Sequence, residues 1–242
     1  MKVGIVIFLS IVNLQWLSPA ITNNTMNKEK IKIEVWSDVV CPFCYLGKKK
    51  LEKAIAKLHA QNKIEVVWHS FQLDPNFPRK KSQPSIEYLS VNKGLPINQV
   101  KQMCSQLASQ GAGYGIDFRF DKSLTFNTFD AHRLIQWAKS HELSGELKEA
   151  FMNAYFSQGM DLSKESNLYL IIERVGLDIN QAKEVLHSDA FNKAVSNDIT
   201  KASHLGVGGV PYFLINGEKV ISGAQSDEVF ENLISDALNN QE

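Results

Sequence analysis

The stretch from residue 31 to residue 68 constrains the fold more than any other part of the chain. Ile31-Lys32-Ile33-Glu34-Val35-Trp36 alternates apolar and polar side chains and carries β-branched residues, the pattern of a strand. Cys41-Pro42-Phe43-Cys44 follows shortly after, and Leu51, Ile55 and Leu58 then recur at helical spacing with lysines between them. Pro42 suits the first turn of that helix, where its missing N–H would have had no partner. Ile64-Glu65-Val66-Val67-Trp68 is a second strand pattern. The connection between the two strands is long enough for them to lie parallel, joined by a right-handed crossover.

Two cysteines separated by two residues at the entrance to a helix point to thiol–disulfide chemistry. The attacking species in such chemistry is a thiolate. A helix N-terminus offers unpaired N–H groups and the positive end of the helix dipole, so the Cys41 thiol is expected below its ordinary value. Cys44 lies one turn later on the same face, placed to resolve the mixed disulfide that Cys41 forms. Phe43 brings neither charge nor hydrogen bond, so extreme oxidising power is not expected. A zinc half-site is the other use of this spacing, but zinc needs four ligands. There is no second Cys-x-x-Cys, and His59, His69, His132, His141, His187 and His204 contain no matching close pair. No metal is expected. The third cysteine, Cys104, reads as a small apolar residue of a helix over 97–109.

Beyond Asp74-Pro75 the pattern turns helical. A loop rich in Pro, Lys and Ser spans 76–85, and helical periodicity follows over 97–109, 129–140, 145–156, 168–175, 180–186 and 190–204. The glycines at 111, 113 and 115 read as a flexible break. Sheet character returns with Pro211-Tyr212-Phe213-Leu214-Ile215, and Asn216-Gly217 predicts a two-residue hairpin leading to a strand over 218–222. Val229, Phe230, Leu233, Ile234 and Leu238 mark a closing amphipathic helix with Ser226 as N-cap. The element order is that of a thioredoxin fold, an α/β architecture, with a mostly helical domain inserted after the second strand. The expected divisions are a signal peptide over 1–20, an N-terminal thioredoxin-fold segment over 30–80, the helical insert over 81–189 and a C-terminal thioredoxin-fold segment over 190–242.

Pro211 opens an apolar strand, which alone would mark an edge-strand boundary. Beside a strand–Cys-x-x-Cys–helix unit, a cis Val210–Pro211 bond is the better reading, since cis costs little at proline. It would bring the Val210 backbone beside Cys41, where a substrate strand could pair with it.

Lys+Arg and Asp+Glu both number 26, giving a formal net charge of zero, which speaks against a dedicated nucleic-acid binder. Lys2 precedes an apolar run over 3–17, and Ser18-Pro19-Ala20 supplies small residues for cleavage, so an exported or periplasmic protein is expected. As a helix that run reaches only about 22 Å, short of a bilayer core, so no permanent membrane span is expected. The alternative is a cytoplasmic product starting near Met26.

The segments 36–47, 127–134 and 206–211 resemble the DsbA-like oxidoreductases, above all the FrnE-like branch. They read Trp36-Ser37-Asp38-Val39-Val40-Cys41-Pro42-Phe43-Cys44-Tyr45-Leu46-Gly47, Asn127-Thr128-Phe129-Asp130-Ala131-His132-Arg133-Leu134 and Gly206-Val207-Gly208-Gly209-Val210-Pro211. The likeness implies a redox pair formed by Cys41 and Cys44 and a cis Pro211. A substrate surface would be made of Val210, Pro211, Pro42 and Phe43, with Trp36, Asn127 and His132 contributing. Asn127 and His132 have a second reading, as a helix cap and as packing inside the insert, and Trp36 has one as core filler. The redox-active disulfide is the sole cofactor expected, with glutathione as an optional small thiol. Partners would be protein thiols or disulfides, and a homodimer stays open. 2-Hydroxychromene-2-carboxylate isomerases and kappa-class glutathione transferases share the layout, but they carry serine where Cys41 stands. A glutathione-dependent isomerase or transferase is the alternative function.

Overall fold

The computed structural model describes Met1 and residues 29–240; the expected signal segment and Met26 lie outside the described residues. Strand β1 (Ile31–Ser37) is joined through helix α1 (Pro42–Lys57) to β2 (Ile64–Ser70), and β1 and β2 pair in parallel. The chain returns to this sheet only after α8 (Asn192–His204), with β5 (Tyr212–Ile215), β6 (Lys219–Ser222) and α9 (Asp227–Asn239). The sheet order is β2-β1-β5-β6, with β5 antiparallel to both neighbours. This is the thioredoxin fold, and the insertion point is the one that the element order predicts.

Central β1 is buried on both faces. One face packs Ile31, Ile33 and Val35 against Leu51 and Ile55 of α1 and Phe230 and Ile234 of α9. On the opposite face, Trp36 meets Ala202, Val207 and Leu214. Phe230 is fully buried, a burial that contributes about 1.5–3 kcal/mol. Ser226 caps α9, accepting a hydrogen bond from the Val229 N–H.

Between β2 and α8 lie β3 (Ser82–Pro84), α2 (Ser85–Lys93), α3 (Ile97–Ala112), β4 (Leu124–Phe126), α4 (Phe129–Ala138), α5 (Ser144–Phe156), α6 (Glu165–Arg174) and α7 (Ile179–Leu186). Their core holds Leu134, Leu147, Phe151, Phe156 and Ile172, and it is continuous with Val39, Cys41, Cys44 and Tyr45. The insert thus shares its core with the Cys-x-x-Cys segment. Arg133 ties α4 to the end of α7, donating to the carbonyls of Val185, Leu186, Ser188 and Ala190. A buried guanidinium there neutralises the negative end of the α7 dipole.

Three local expectations change. The antiparallel β3–β4 pair and α2 carry too short and too polar a pattern to be read as elements. The 111–115 glycines are not a uniform break. Gly111 is buried within α3, where an added Cβ would lie 2.4 Å from the Phe118 ring, so its small size permits a close crossing. The β5–β6 hairpin pairs Ile215 with Lys219, leaving three loop residues instead of two. Asn216 and Gly217 do take the positive φ values, 49° and 75°, that favour those residue types.

Candidate active site

Cys41 is the N-cap residue of α1, and Pro42 opens the helix. The Cys44 and Tyr45 N–H groups both donate to the Cys41 carbonyl, at 3.0 and 3.3 Å, so the first turn closes on the motif itself. Both thiols are buried, Cys41 at 3% exposure and Cys44 at 1%, and neither is bridged. Phe43 projects between them into solvent with 47% exposure, and Pro42 is half-buried.

The Val210–Pro211 peptide bond is cis. The Cys41 Sγ lies 3.5 Å from the Val210 carbonyl oxygen, to which it donates, across 169 residues of chain. Gly47 permits this approach. A Cβ on Gly47 would come within 3.0 Å of both Pro211 Cγ and Phe213 Cζ. Gly47→Ala is therefore expected to destabilise the protein by about 1–3 kcal/mol through overpacking. An unchanged midpoint in urea denaturation would contradict that account.

The lowering of the Cys41 thiol expected from the helix start meets opposing influences in the structure. The thiol's value stands well above the ordinary one. The hydrogen bond with Cys44 is the largest cause, followed by burial, by negative charge on Cys44 and by the charge of Asp38. The Cys44 backbone N–H, the contribution of the helix start, works in the opposite direction and is outweighed. Two thiols sharing one buried site cannot both ionise readily.

Asp38 is buried beneath the motif. Its Oδ2 accepts from the Leu73 N–H at 2.8 Å, and its Oδ1 lies 3.1 Å from His132 Nε2. His132 is fully buried in α4, and its Nδ1 has no partner among the described residues. It braces Asp38 and presents no surface to the cleft. Trp36 is also fully buried: its indole N–H donates to the Asp198 carbonyl at 3.0 Å, and its ring stacks on His69 at 4.4 Å. Core filler is the reading that fits. Asn127 is half-buried and clamps a loop, accepting from the Phe129 N–H and donating to the carbonyls of Pro75 and Phe77. That is a local turn closing the start of α4. Of the sequence-predicted residues, Val210 reaches Cys41 through its carbonyl, cis Pro211 packs toward Gly47, and Pro42 and Phe43 follow Cys41 in the chain.

Sequence reasoning missed two groups here. Asp38 stood within the motif without a role. Lys148 of α5 is fully buried, and its Nζ donates to the Ser37 carbonyl at 3.3 Å. A signal for Lys148 exists: Phe151, Met152 and Tyr155 follow it by three, four and seven residues, which puts a charge on the apolar face of α5.

The family model described as a DSBA-like thioredoxin domain matches residues 32–235. The chain belongs to the DSBA-like thioredoxin domain family. It is 32% identical to the probable DsbA oxidoreductase SCO1869 from Streptomyces coelicolor, with a TM-score of 0.83 over 86% of this chain and 90% of that one. The YwbO protein of Bacillus subtilis strain 168 is 29% identical over 214 residues, 85% of this chain and 96% of YwbO. A 2-hydroxychromene-2-carboxylate isomerase shares the fold at 17% identity and a TM-score of 0.63, covering 86% of this chain and 95% of that one. Among the described residues no helix is long and apolar enough to cross a membrane.

Proposed function

We propose that the chain is a protein thiol–disulfide oxidoreductase of the FrnE-like branch, in which Cys41 attacks and Cys44 resolves. The observation that carries this reading is the Cys41 Sγ held 3.5 Å from the Val210 carbonyl, with Cys44 one turn behind it. A substrate strand laid against Val210 and Pro211 would bring its disulfide to Cys41, with exposed Phe43 and half-buried Pro42 as an apolar rest. The Cys41 thiolate attacks one substrate sulfur, and the other leaves as a thiolate. Cys44 then attacks Cys41 Sγ, forms the Cys41–Cys44 disulfide and releases the reduced substrate. The reverse sequence oxidises a substrate dithiol.

The presence of both thiols supports dithiol chemistry over glutathione-dependent isomerisation, which has no use for Cys44. Cys44→Ser separates the two readings. It is expected to abolish multiple turnover and to accumulate mixed disulfides on Cys41, visible as adducts by non-reducing mass spectrometry. Full turnover of a thiol–disulfide assay by Cys44→Ser would sink the proposal. Export fits this chemistry, since disulfides persist in oxidising compartments. Mass spectrometry of the mature N-terminus distinguishes cleavage after Ala20 from a start near Met26.

A further inference from the structure

Helix α1 carries a run of lysines, and one of them is used differently from the rest. Lys49, Lys53 and Lys57 pair with the carboxylates of Glu149, Asp227 and Glu231. Lys50 holds backbone. It is half-buried, and its Nζ donates to the Gln225 carbonyl at 2.7 Å and to the Ala224 carbonyl at 3.2 Å. Both carbonyls belong to the turn between β6 and α9. Bonds from an ammonium are stronger than those between neutral groups, so this turn is fastened to α1. Tyr114, after α3, covers the fastening. Its ring centroid lies 5.4 Å from both the Lys50 and the Lys53 Nζ, and its hydroxyl donates to Asp227 at 2.6 Å.

The fastened turn is bonded in its own right to the redox site. The Gly223 N–H donates to the Pro211 carbonyl at 2.8 Å, and Gln225 closes the turn on itself through its N–H to the Gly223 carbonyl and its side chain to the Ser222 carbonyl. Ala224 packs against the core that holds Cys41 and Cys44. A short path of hydrogen bonds therefore runs from Lys50 through residues 223–225 to Pro211. Its neighbour Val210 presents the carbonyl that accepts from the Cys41 Sγ. Helix α1 supplies both ends of this path, Cys41 at its cap and Lys50 further along, with the close contact of Pro211 at Gly47 between them.

We propose that Lys50 is a positioning residue for the thiol–disulfide reaction: by fixing the 223–225 turn it holds the Val210–Pro211 backbone beside Cys41, where that backbone aligns a substrate strand. The inference rests on the dithiol reading given under Proposed function. Release of Lys50 has two consequences of opposite sign. The bond from the Cys41 S–H to the Val210 carbonyl favours the protonated thiol, so a carbonyl that moves away makes the thiolate easier to form. The same movement removes the backbone against which a substrate strand would pair. Small reagents, which need only a thiolate, then react faster near neutral pH, and peptides, which need alignment, bind less well. The other groups that act on Cys41, namely Cys44 on α1 and Asp38 in the turn after β1, are left in place. The charged and titratable groups about Lys50 are Lys53, Asp227 and Tyr114.

The test compares the reduced full-length protein with Lys50→Met, Lys50→Gln and Lys50→Arg. Met and Gln keep the helix propensity of α1 but remove the charged reach to the two carbonyls, and Arg keeps it. The first measurement is alkylation of Cys41 by iodoacetamide as a function of pH, followed by peptide mapping. Its midpoint is expected to move down by about half a pH unit in the Met and Gln variants and to return in Lys50→Arg. The second is the single-turnover reduction of a disulfide-linked peptide dimer. The peptide concentration that gives half the maximal rate is expected to rise about fivefold in the Met and Gln variants and to recover in Lys50→Arg. Lys50→Gln carries the test alone if Lys50→Met does not fold. An alkylation midpoint within about 0.2 pH unit of the parent overturns the role of Lys50. Slowing of both reactions together, the mark of a general loosening, also overturns it, as does failure of Lys50→Arg to restore them. A parent protein that alkylates normally but leaves the peptide disulfide intact overturns the dithiol reading instead, whatever the variants do to the alkylation profile.

Discussion

The Cys41–Cys44 pair is expected to equilibrate near the thioredoxin end of the redox scale, about −270 mV, rather than near the strongly oxidising end at about −120 mV. A strongly oxidising disulfide owes its potential to a reduced form that is stabilised, commonly through a thiolate held far below its ordinary value. Here the Cys41 thiol is held up by Cys44, by burial and by Asp38, and its S–H donates to the Val210 carbonyl. These influences disfavour a thiolate on Cys41, and Phe43 adds neither charge nor hydrogen bond to offset them. The separation between the two ends, about 150 mV, corresponds to about 7 kcal/mol in a two-electron couple. Equilibration against glutathione, read by alkylation and mass spectrometry, measures it. A potential above about −180 mV would show that some group stabilises the thiolate after all. The same cause sets the pH dependence. Attack by Cys41 should keep rising with pH well beyond neutrality, and Cys44→Ala should shift that rise to lower pH by removing the largest upward influence.

The second large effect is structural. Asp198→Ala is expected to cost about 3–5 kcal/mol of stability, the range for removing one partner of a buried charged cluster. Asp198 is buried on α8, and its carboxylate takes His69 Nδ1 at 2.6 Å, the Ser70 N–H at 2.8 Å and Gln136 Nε2 at 2.5 Å. His69 Nε2 lies 2.9 Å from Glu34, which also accepts from Lys201 at 2.6 Å. One carboxylate thereby joins α8, β2 and α4, the junction between the sheet and the insert. Its loss leaves His69 Nδ1 and the Ser70 N–H without this partner and Gln136 Nε2 with Ser70 Oγ alone. Asp198→Asn, which keeps one acceptor oxygen, should lose less. Urea denaturation reads both, and a cost below about 1 kcal/mol for alanine would remove the cluster from the account.

The sign of the acid response follows from the same groups. Burial pushes the Asp198 carboxyl up, but the hydrogen bond with His69, the charge His69 carries when protonated, the Ser70 N–H and Lys139 more than reverse this. Glu34 is likewise raised by burial and lowered further by Lys201, His69 and Lys32. Both end below their ordinary values. Their stabilisation is complete above the unfolded-chain values near 4 and is lost as pH falls through the lower folded-state values. Asp198→Asn should flatten that portion of the acid unfolding curve.

The sequence by itself determined what repeats at short range. The alternation over 31–36, the proline at the start of α1 and the spacing of Leu51 and Ile55 are encoded in neighbouring residues and form where they were expected, and Asn216-Gly217 turns the chain in a loop one residue longer than expected. It failed where the local pattern was too short, as in Ser82–Pro84, or where close approach fixed the backbone, as at Gly111. Only the tertiary structure decided the character of the site. Trp36 and His132 look like cleft residues in the linear motif, yet packing of α8 and α4 seals both inside. The helix start that should have lowered the Cys41 thiol is present, but burial and the facing Cys44 outweigh it. The Val210 carbonyl arrives from 169 residues away, and Lys148 from the insert. Periodicity specifies which face of an element is buried. It does not specify which other element arrives there, and the protonation of a buried thiol depends on that arrival.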